Sequence, residues 1–208
     1  MQYVGLTGNI GSGKSTAATI LEKLGAKTIS ADELAHKVVE PGMPAYQKIV
    51  EHFGREVLRS DQLLDRKRLA RIVFQDRNQL EKLNSITHQE IHRLRNQKLV
   101  ELHRNTPQSM VIYDVPLLFE NKMQAQFQKV ILICIDREIQ TNRLMTLRHF
   151  SREELDKRLN HQIPQEEKIP LADFIVNNSD SPEHLKKRLD QIYKQIKYLP
   201  QLTLAEVI

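Results

Sequence analysis

Only one cysteine, Cys134, occurs among the 208 residues, so no disulfide can form within the chain. Its place in the apolar run Val130-Ile131-Leu132-Ile133-Cys134-Ile135 reads as a buried structural thiol. No apolar run approaches the ~20 residues that a membrane-crossing helix needs, so no membrane role is expected. The opening residues, Met1-Gln2-Tyr3-Val4-Gly5-Leu6, lack a basic stretch and a small-residue cleavage pattern. That is not how a secretory leader reads, and the expected compartment is the cytoplasm. Uninterrupted blocks of Lys and Arg are missing too, although the formal net charge is +5. Such an excess suits a nucleic-acid partner or a polyanionic small substrate. The interspersed signs, as in Arg152-Glu153-Glu154-Leu155-Asp156-Lys157-Arg158, describe solvated helix faces. There is no internal repeat, no low-complexity segment and no guanine-reading Asn-Lys-x-Asp sequence.

What is present describes an ordinary folded chain. Hydrophobic residues make up 40 % and charged residues 27 %, which is typical of a globular protein. A chain of this length hides roughly 70 % of the surface its unfolded form exposes, enough for one well-buried core. Short apolar segments open the chain and recur at Ser109–Asp114, Val130–Ile135 and Phe174–Asn177, with a weaker one at Ala26–Ser30. Their near-continuous apolar character fits strands covered on both faces of a parallel sheet. Helical patterns lie between them, over Ser15–Leu24, Asp32–Val39, Pro44–Phe53, Arg66–Phe74, Asn78–His103, Arg137–Leu147, Ser151–Asn160 and Glu183–Tyr198. The alternation predicts an α/β fold with a doubly wound sheet. Residues 31–108, helical in pattern, far exceed the dozen or so that a crossover needs. Extra helices beyond strand ends are well placed to wall a substrate pocket, and a smaller insertion from about Arg148 to Gln165 reads as a lid. The last residues, Gln201 to Ile208, show no strong pattern and are expected to be loosely held.

The chemistry begins directly after the first strand, where Gly8-Asn9-Ile10-Gly11-Ser12-Gly13-Lys14-Ser15 matches the phosphate-loop pattern. Its glycines let the backbone curl so that N–H groups face a β-phosphate, and the following helix directs its positive end at the same charge. Lys14 is expected to bridge the β- and γ-phosphates, Ser15 to offer its hydroxyl to Mg²⁺, and Thr16 to add a contact near the α-phosphate. A kinase also needs a group that takes the proton of an alcohol acceptor, and Asp32, just past the second strand, is the candidate. Its alternative role is to cap the helix it begins. Asp114 ends the third strand, where nucleotide-binding sheets often hold a magnesium-associated carboxylate, or it is a turn residue. Arg143, Arg148 and Arg158 flank or ride on the lid and are candidates for stabilising transferred charge, unless they are plain surface arginines. His88 either meets a substrate phosphate or is a partly buried helix histidine.

These residues, taken with their order along the chain, resemble the dephospho-coenzyme A kinase family from Tyr3 to about Leu199. The resemblance is carried by Val4-Gly5-Leu6-Thr7-Gly8 with the phosphate loop, Ala31-Asp32 with Leu34-Ala35-His36, and Leu83-Asn84 with His88. It continues through Asp114-Val115-Pro116-Leu117-Leu118-Phe119-Glu120, Gln140 with Arg143-Leu144, Arg158 with Gln162, and Ala172-Asp173 with Asn177-Asn178. It implies a P-loop NTPase-type, doubly wound, five-stranded parallel sheet with a helical insertion for the coenzyme A moiety and a lid. The implied reaction moves the γ-phosphoryl of ATP to the ribose 3′-hydroxyl of dephospho-coenzyme A, with Mg²⁺. By the same resemblance Gly8, Gly11, Ser12, Gly13, Lys14, Ser15, Thr16 and Arg143 hold the nucleotide, and Lys14, Arg143 and the base Asp32 act in catalysis. Asp32, His88, Asp114, Leu117 and Arg158 belong to the acceptor side, and Ser15 and Asp114 to the metal. Two positions depart from the family pattern. Gln89 follows His88 where a proline is common, and Leu147 stands where an arginine usually opens the lid, with Arg148 one residue later.

The expected organisation is therefore a nucleotide-binding core at 1–32, 106–147 and 166–200, an acceptor insertion at 33–105, a lid at 148–165 and a tail at 201–208. No obligate protein partner and no nucleic acid is expected. The alternatives are another P-loop small-molecule kinase, of nucleoside monophosphate or shikimate type, and a nucleic-acid-associated ATPase. The last would bind RNA or DNA with steep salt dependence.

Overall fold

The computed structural model describes residues 1–148 and 150–208, with the side chains of Leu147 and Arg148 outside the described set. The expectation placed on Arg148 therefore falls outside the described residues. In chain order the elements are β1 (Gln2–Thr7), α1 (Lys14–Lys23), β2 (Lys27–Ser30), α2 (Ala31–Lys37), α3 (Pro44–Phe53), α4 (Arg66–Gln75) and α5 (Arg77–Asn105). They continue as β3 (Met110–Asp114), β4 (Lys129–Cys134), α6 (Arg137–Arg148), α7 (Arg152–Asn160), α8 (Gln165–Lys168), β5 (Phe174–Asn177), α9 (Pro182–Lys197) and α10 (Leu204–Val207).

The five strands form one parallel sheet in the order β2-β3-β1-β4-β5, as the α/β reading expects. β1 is buried from end to end, whereas β2, whose apolar signal is the weakest, lies at a sheet edge and is partly exposed. β1 and β3 lie side by side and their onward connections run in opposite directions, to β2 and to β4. In a sheet of this kind the crevice at the carboxyl ends of such strands is where ligands bind.

Two compact units emerge, one comprising residues 1–30 and 100–208, the other residues 31–99. In the first, Leu185, Leu189, Ile192 and Ile196 form the apolar stripe of α9 and pack with Ala17 and Leu21 of α1 against Val4, Leu6, Ile112, Ile131, Ile133 and Val176 of the sheet. Tyr3 belongs to an aromatic group with Phe127 and Tyr113, at ring-centroid distances of 5.0 and 6.4 Å. Gly5 makes room there, since a Cβ on it would stand 2.7 Å from Leu118 Cδ1. The second unit has its own core, built from Val38, Ala45, Ile49, Phe53, Val57, Leu64, Leu69, Val73 and Ile86. It also holds a short antiparallel bridge between Leu58 and Leu64, which a purely helical reading of the insertion does not include. Because α2 starts at Ala31 directly after β2, Asp32 falls with the helical unit, whereas the sequence division places residues 31 and 32 with the core.

The tail corrects an expectation. Residues 201–208 are tied down, because the Met1 amino group donates to the Leu202 carbonyl at 2.9 Å and Leu202 N–H returns a bond to Met1 at 2.9 Å. Gln128 donates to the Pro200 carbonyl at 2.9 Å, Thr203 and Glu206 cap α10 reciprocally, and Val207 is buried. No helix among the described residues is long and apolar enough to cross a membrane.

Candidate active site

The loop from Gly8 to Ser15 joins β1 to α1, and three of its positions admit only glycine. A Cβ on Gly8 would meet Ser12 Oγ at 2.5 Å and the Ile133 carbonyl at 2.7 Å. Gly11 has φ +78°, and its added Cβ would strike Leu144 at 2.8 Å. Gly13 has φ +90° and lies so close to the Asn178 amide that a Cβ would be 2.1 Å from its Nδ2. Both positive φ values are costly for any residue with a Cβ. Gly13 is also the N-cap of α1, and no side chain caps this helix. Its first amide groups are therefore left for an outside acceptor, at the positive end of the helix dipole. Ser12 Oγ is buried and has no hydrogen-bond partner among the described residues. An anion-binding cradle accounts for both sets of orphan donors.

Lys14 is the first residue of α1, and its ammonium pairs with the carboxylate of Asp114, the last residue of β3. Both side chains are largely buried. The sheet register sets this up, since Asp114 lies beside Leu6 of β1 and Ser30 of β2. Ser15 and Thr16 are exposed in the first turn of α1. Ser15 and Asp114 offer hard oxygen donors, and Mg²⁺ usually takes one or two such protein ligands and completes its shell with phosphate and water. The donor set therefore fits that ion, while no cluster of three or more His, Cys, Asp or Glu forms a self-sufficient metal cage among the described residues.

α6 and the segment around α7 fasten to the same loop. Gln140 donates to the Ile10 carbonyl at 2.7 Å, and Gln162 accepts from Ile10 N–H at 3.0 Å. Leu144, Leu155 and Leu159 cluster with Ile10 and Phe150. Asn178 donates to the Ser12 carbonyl at 2.8 Å from beyond β5. Arg143 sits on α6 between Gln140 and Leu144 and makes no ion pair or hydrogen bond among the described residues. Arg158 lies on α7 with its guanidinium 4.6 Å from the Phe150 ring centroid, a cation–π placement. Leu117, between β3 and β4, is 40 % exposed, while its neighbour Leu118 is fully buried.

Of the residues selected from the sequence, the first unit thus brings together the loop, Lys14 and Asp114, with Arg143 and Arg158 on elements fastened to that loop. Asp32 and His88 belong to the second unit. Asp32 is the second residue of α2 and not its N-cap, is exposed, and makes no hydrogen bond or ion pair among the described residues. The structure therefore gives its carboxylate no capping duty. His88 is exposed on α5, not partly buried, and its proximity, after burial and Arg95, helps to hold the pKa of His92 below the ordinary histidine value.

Sequence reasoning missed a buried group beside the loop. Lys168 is fully buried and reaches Asn9 Oδ1 at 2.6 Å and Glu120 Oε1 at 2.7 Å. Asn9 occupies a free position of the loop pattern, and Lys168 stands in a polar stretch, Gln165-Glu166-Glu167-Lys168, that looks solvated. Only the motif glutamate Glu120 offered a signal. Cys134 ends β4 as a buried free thiol, and burial with the nearby Glu166 charge raises its pKa to about 11 against the opposing effect of Lys168.

The dephospho-CoA kinase family model matches residues 2–183. A dephospho-CoA kinase from Carboxydothermus hydrogenoformans is 40 % identical over 198 residues, covering 95 % of this chain and 96 % of that protein. One from Syntrophus aciditrophicus is 42 % identical over 196 residues, covering 94 % of this chain and 83 % of that protein. Among solved structures, the dephospho-CoA kinase from Campylobacter jejuni is 30 % identical with a TM-score of 0.69, covering 95 % of this chain and 98 % of its own. TT1252 from Thermus thermophilus is 32 % identical with a TM-score of 0.81, covering 93 % and 97 %. With a phosphate loop, a five-stranded parallel sheet and this likeness over nearly its whole length, the chain belongs to the dephospho-CoA kinase family.

Proposed function

We propose that the protein transfers the γ-phosphoryl group of ATP to the ribose 3′-hydroxyl of dephospho-coenzyme A, giving coenzyme A and ADP. The observation that carries this reading is the pairing of Lys14 and Asp114 at the uncapped start of α1, in a chain that matches the family over residues 2–183. The loop and the first amides of α1 hold the β-phosphate, and Lys14 exchanges Asp114 for the β- and γ-phosphate oxygens when ATP enters. Gly8, Gly11, Ser12, Gly13 and Thr16 shape the cradle. Asp32 takes the proton of the 3′-hydroxyl while its oxygen bonds to the γ-phosphorus and the bond to the β,γ-bridging oxygen breaks. Arg143 meets the phosphates from α6 and, with Arg158 on α7, offsets charge on the migrating group. His88, Leu117 and Asp114 serve the acceptor. Mg²⁺, held by Ser15 with Asp114 beside it, would neutralise charge on the β- and γ-oxygens. The reaction runs in the cytoplasm.

A coupled assay of ADP release tests the reading. Turnover with dephospho-coenzyme A and none with a nucleoside monophosphate or shikimate is the expected result. Turnover with one of those and none with dephospho-coenzyme A would leave a kinase with a different acceptor.

A further inference from the structure

Lys168 is the last residue of α8 and is fully buried, a rare state for lysine that requires paired partners. Its ammonium donates to Asn9 Oδ1 at 2.6 Å and pairs with Glu120 Oε1 at 2.7 Å. Glu120 Oε1 also accepts Ile163 N–H at 3.0 Å, and Asn9 Nδ2 donates to the Ile163 carbonyl at 3.3 Å. Both backbone groups of Ile163 are thus held. One of the two holders belongs to the phosphate loop. Gln162, the preceding residue, accepts from Ile10 N–H at 3.0 Å. The chain leaving α7 is therefore clamped to Asn9 and Ile10 through a charged, buried knot, with Lys168 and Glu120 as its two charges. Such a pair is a weak source of stability because its desolvation offsets its attraction. Here one carboxylate oxygen, Glu120 Oε2, is also buried without a hydrogen-bond partner among the described residues. Stability alone does not explain the knot.

We infer that Lys168 and Glu120 are a positioning pair: through Asn9 and Ile163 they lock the phosphate loop to the root of α7, so that binding of the ATP phosphates and placement of the α7 arginine Arg158 are one event. The inference rests on the kinase reading for its nucleotide, but not on the identity of the acceptor. Lys168 acts through the Asn9 and Glu120 side chains it pairs with, and these through the Ile163 backbone they hold.

Two measurements test it, and their ATP readouts need no acceptor, so that a wrong acceptor would leave those readouts intact. On the unaltered protein, ATP should slow amide hydrogen exchange at residues 162–168 together with residues 8–15. Slowing confined to 8–15 would overturn the coupling. The double variant Glu120→Gln with Lys168→Met removes both charges at similar volume and leaves no unpaired ion in the interior. It should melt close to the parent yet bind ATP at least about tenfold more weakly, with the KM for dephospho-coenzyme A changed less than about twofold in turnover assays. ATP affinity within twofold of the parent would reduce the pair to packing. If the double variant fails to fold, the exchange measurement on the parent decides alone.

Discussion

Asp32 sits one residue inside α2, solvent-facing and without a hydrogen bond or ion pair among the described residues, although an aspartate at a helix start is usually occupied in capping. A carboxylate kept free of structural bonds is suited to accept a proton. Asp32→Asn should retain ATP affinity and melting temperature while kcat falls by at least ~10², the usual scale for a positioned acid or base. Near-normal kcat would return Asp32 to a favourable charge at a helix N-terminus. Cys134 makes the opposite case, a reactive group put out of use. With its pKa raised to about 11, the thiol stays protonated and sheltered at pH 8, so iodoacetamide should label it only after unfolding. Mass spectrometry would detect the adduct, and labelling of the native protein at the rate of a free thiol would contradict its burial. The apolar run around Cys134 already foretold this. Nothing in the sequence told Lys168 apart from a solvated lysine, because its partners Asn9 and Glu120 are 159 residues away and more than forty residues away along the chain.

Among the elements, α7, which carries Arg158, shows how local sequence sets a helix. Ser151 accepts from Glu154 N–H at 3.2 Å, and Glu154 accepts from Ser151 N–H at 3.0 Å, a reciprocal cap. The bonds from Ser151 hold the Glu154 carboxyl below the usual glutamate value, assisted by Arg158 and Lys157. A depressed folded-state value means that the capping contribution is complete above the unfolded-state pKa and is lost as pH falls through the folded one. Ser151→Ala removes the hydroxyl and keeps the backbone N–H, so it should raise the Glu154 pKa only part of the way toward its ordinary value, which a carboxyl-detected NMR titration would follow. An unchanged pKa would assign the shift to the backbone bond and the neighbouring charges alone. The extents of α3, α4 and α7 were legible because their apolar spacing, caps and breakers agree. The anchoring of residues 201–208 was not, since it depends on backbone bonds between Met1 and Leu202 that leave no mark in side-chain pattern. The bridge between Leu58 and Leu64 escaped notice for a similar reason, as one pair of residues has no periodicity.

At the scale of the whole molecule, five short apolar segments specified the sheet because strands buried on both faces leave continuous apolar runs, and the loop after the first of them specified phosphate binding. Neither feature names an alcohol. Insertion of the 31–99 unit, with its own core, between β2 and β3 is what distinguishes this chain from a bare nucleotide-binding sheet. The length of the insertion was plain in the sequence, and the family resemblance is borne out by the match over residues 2–183. The identity and position of the phosphorylated hydroxyl are best read on the product itself. With ATP, Mg²⁺ and dephospho-coenzyme A, phosphorus NMR should show a new phosphomonoester coupled to the ribose 3′ proton, formed in step with ADP. A phosphomonoester at another hydroxyl, or ADP release with dephospho-coenzyme A left unaltered, would contradict a 3′-hydroxyl kinase.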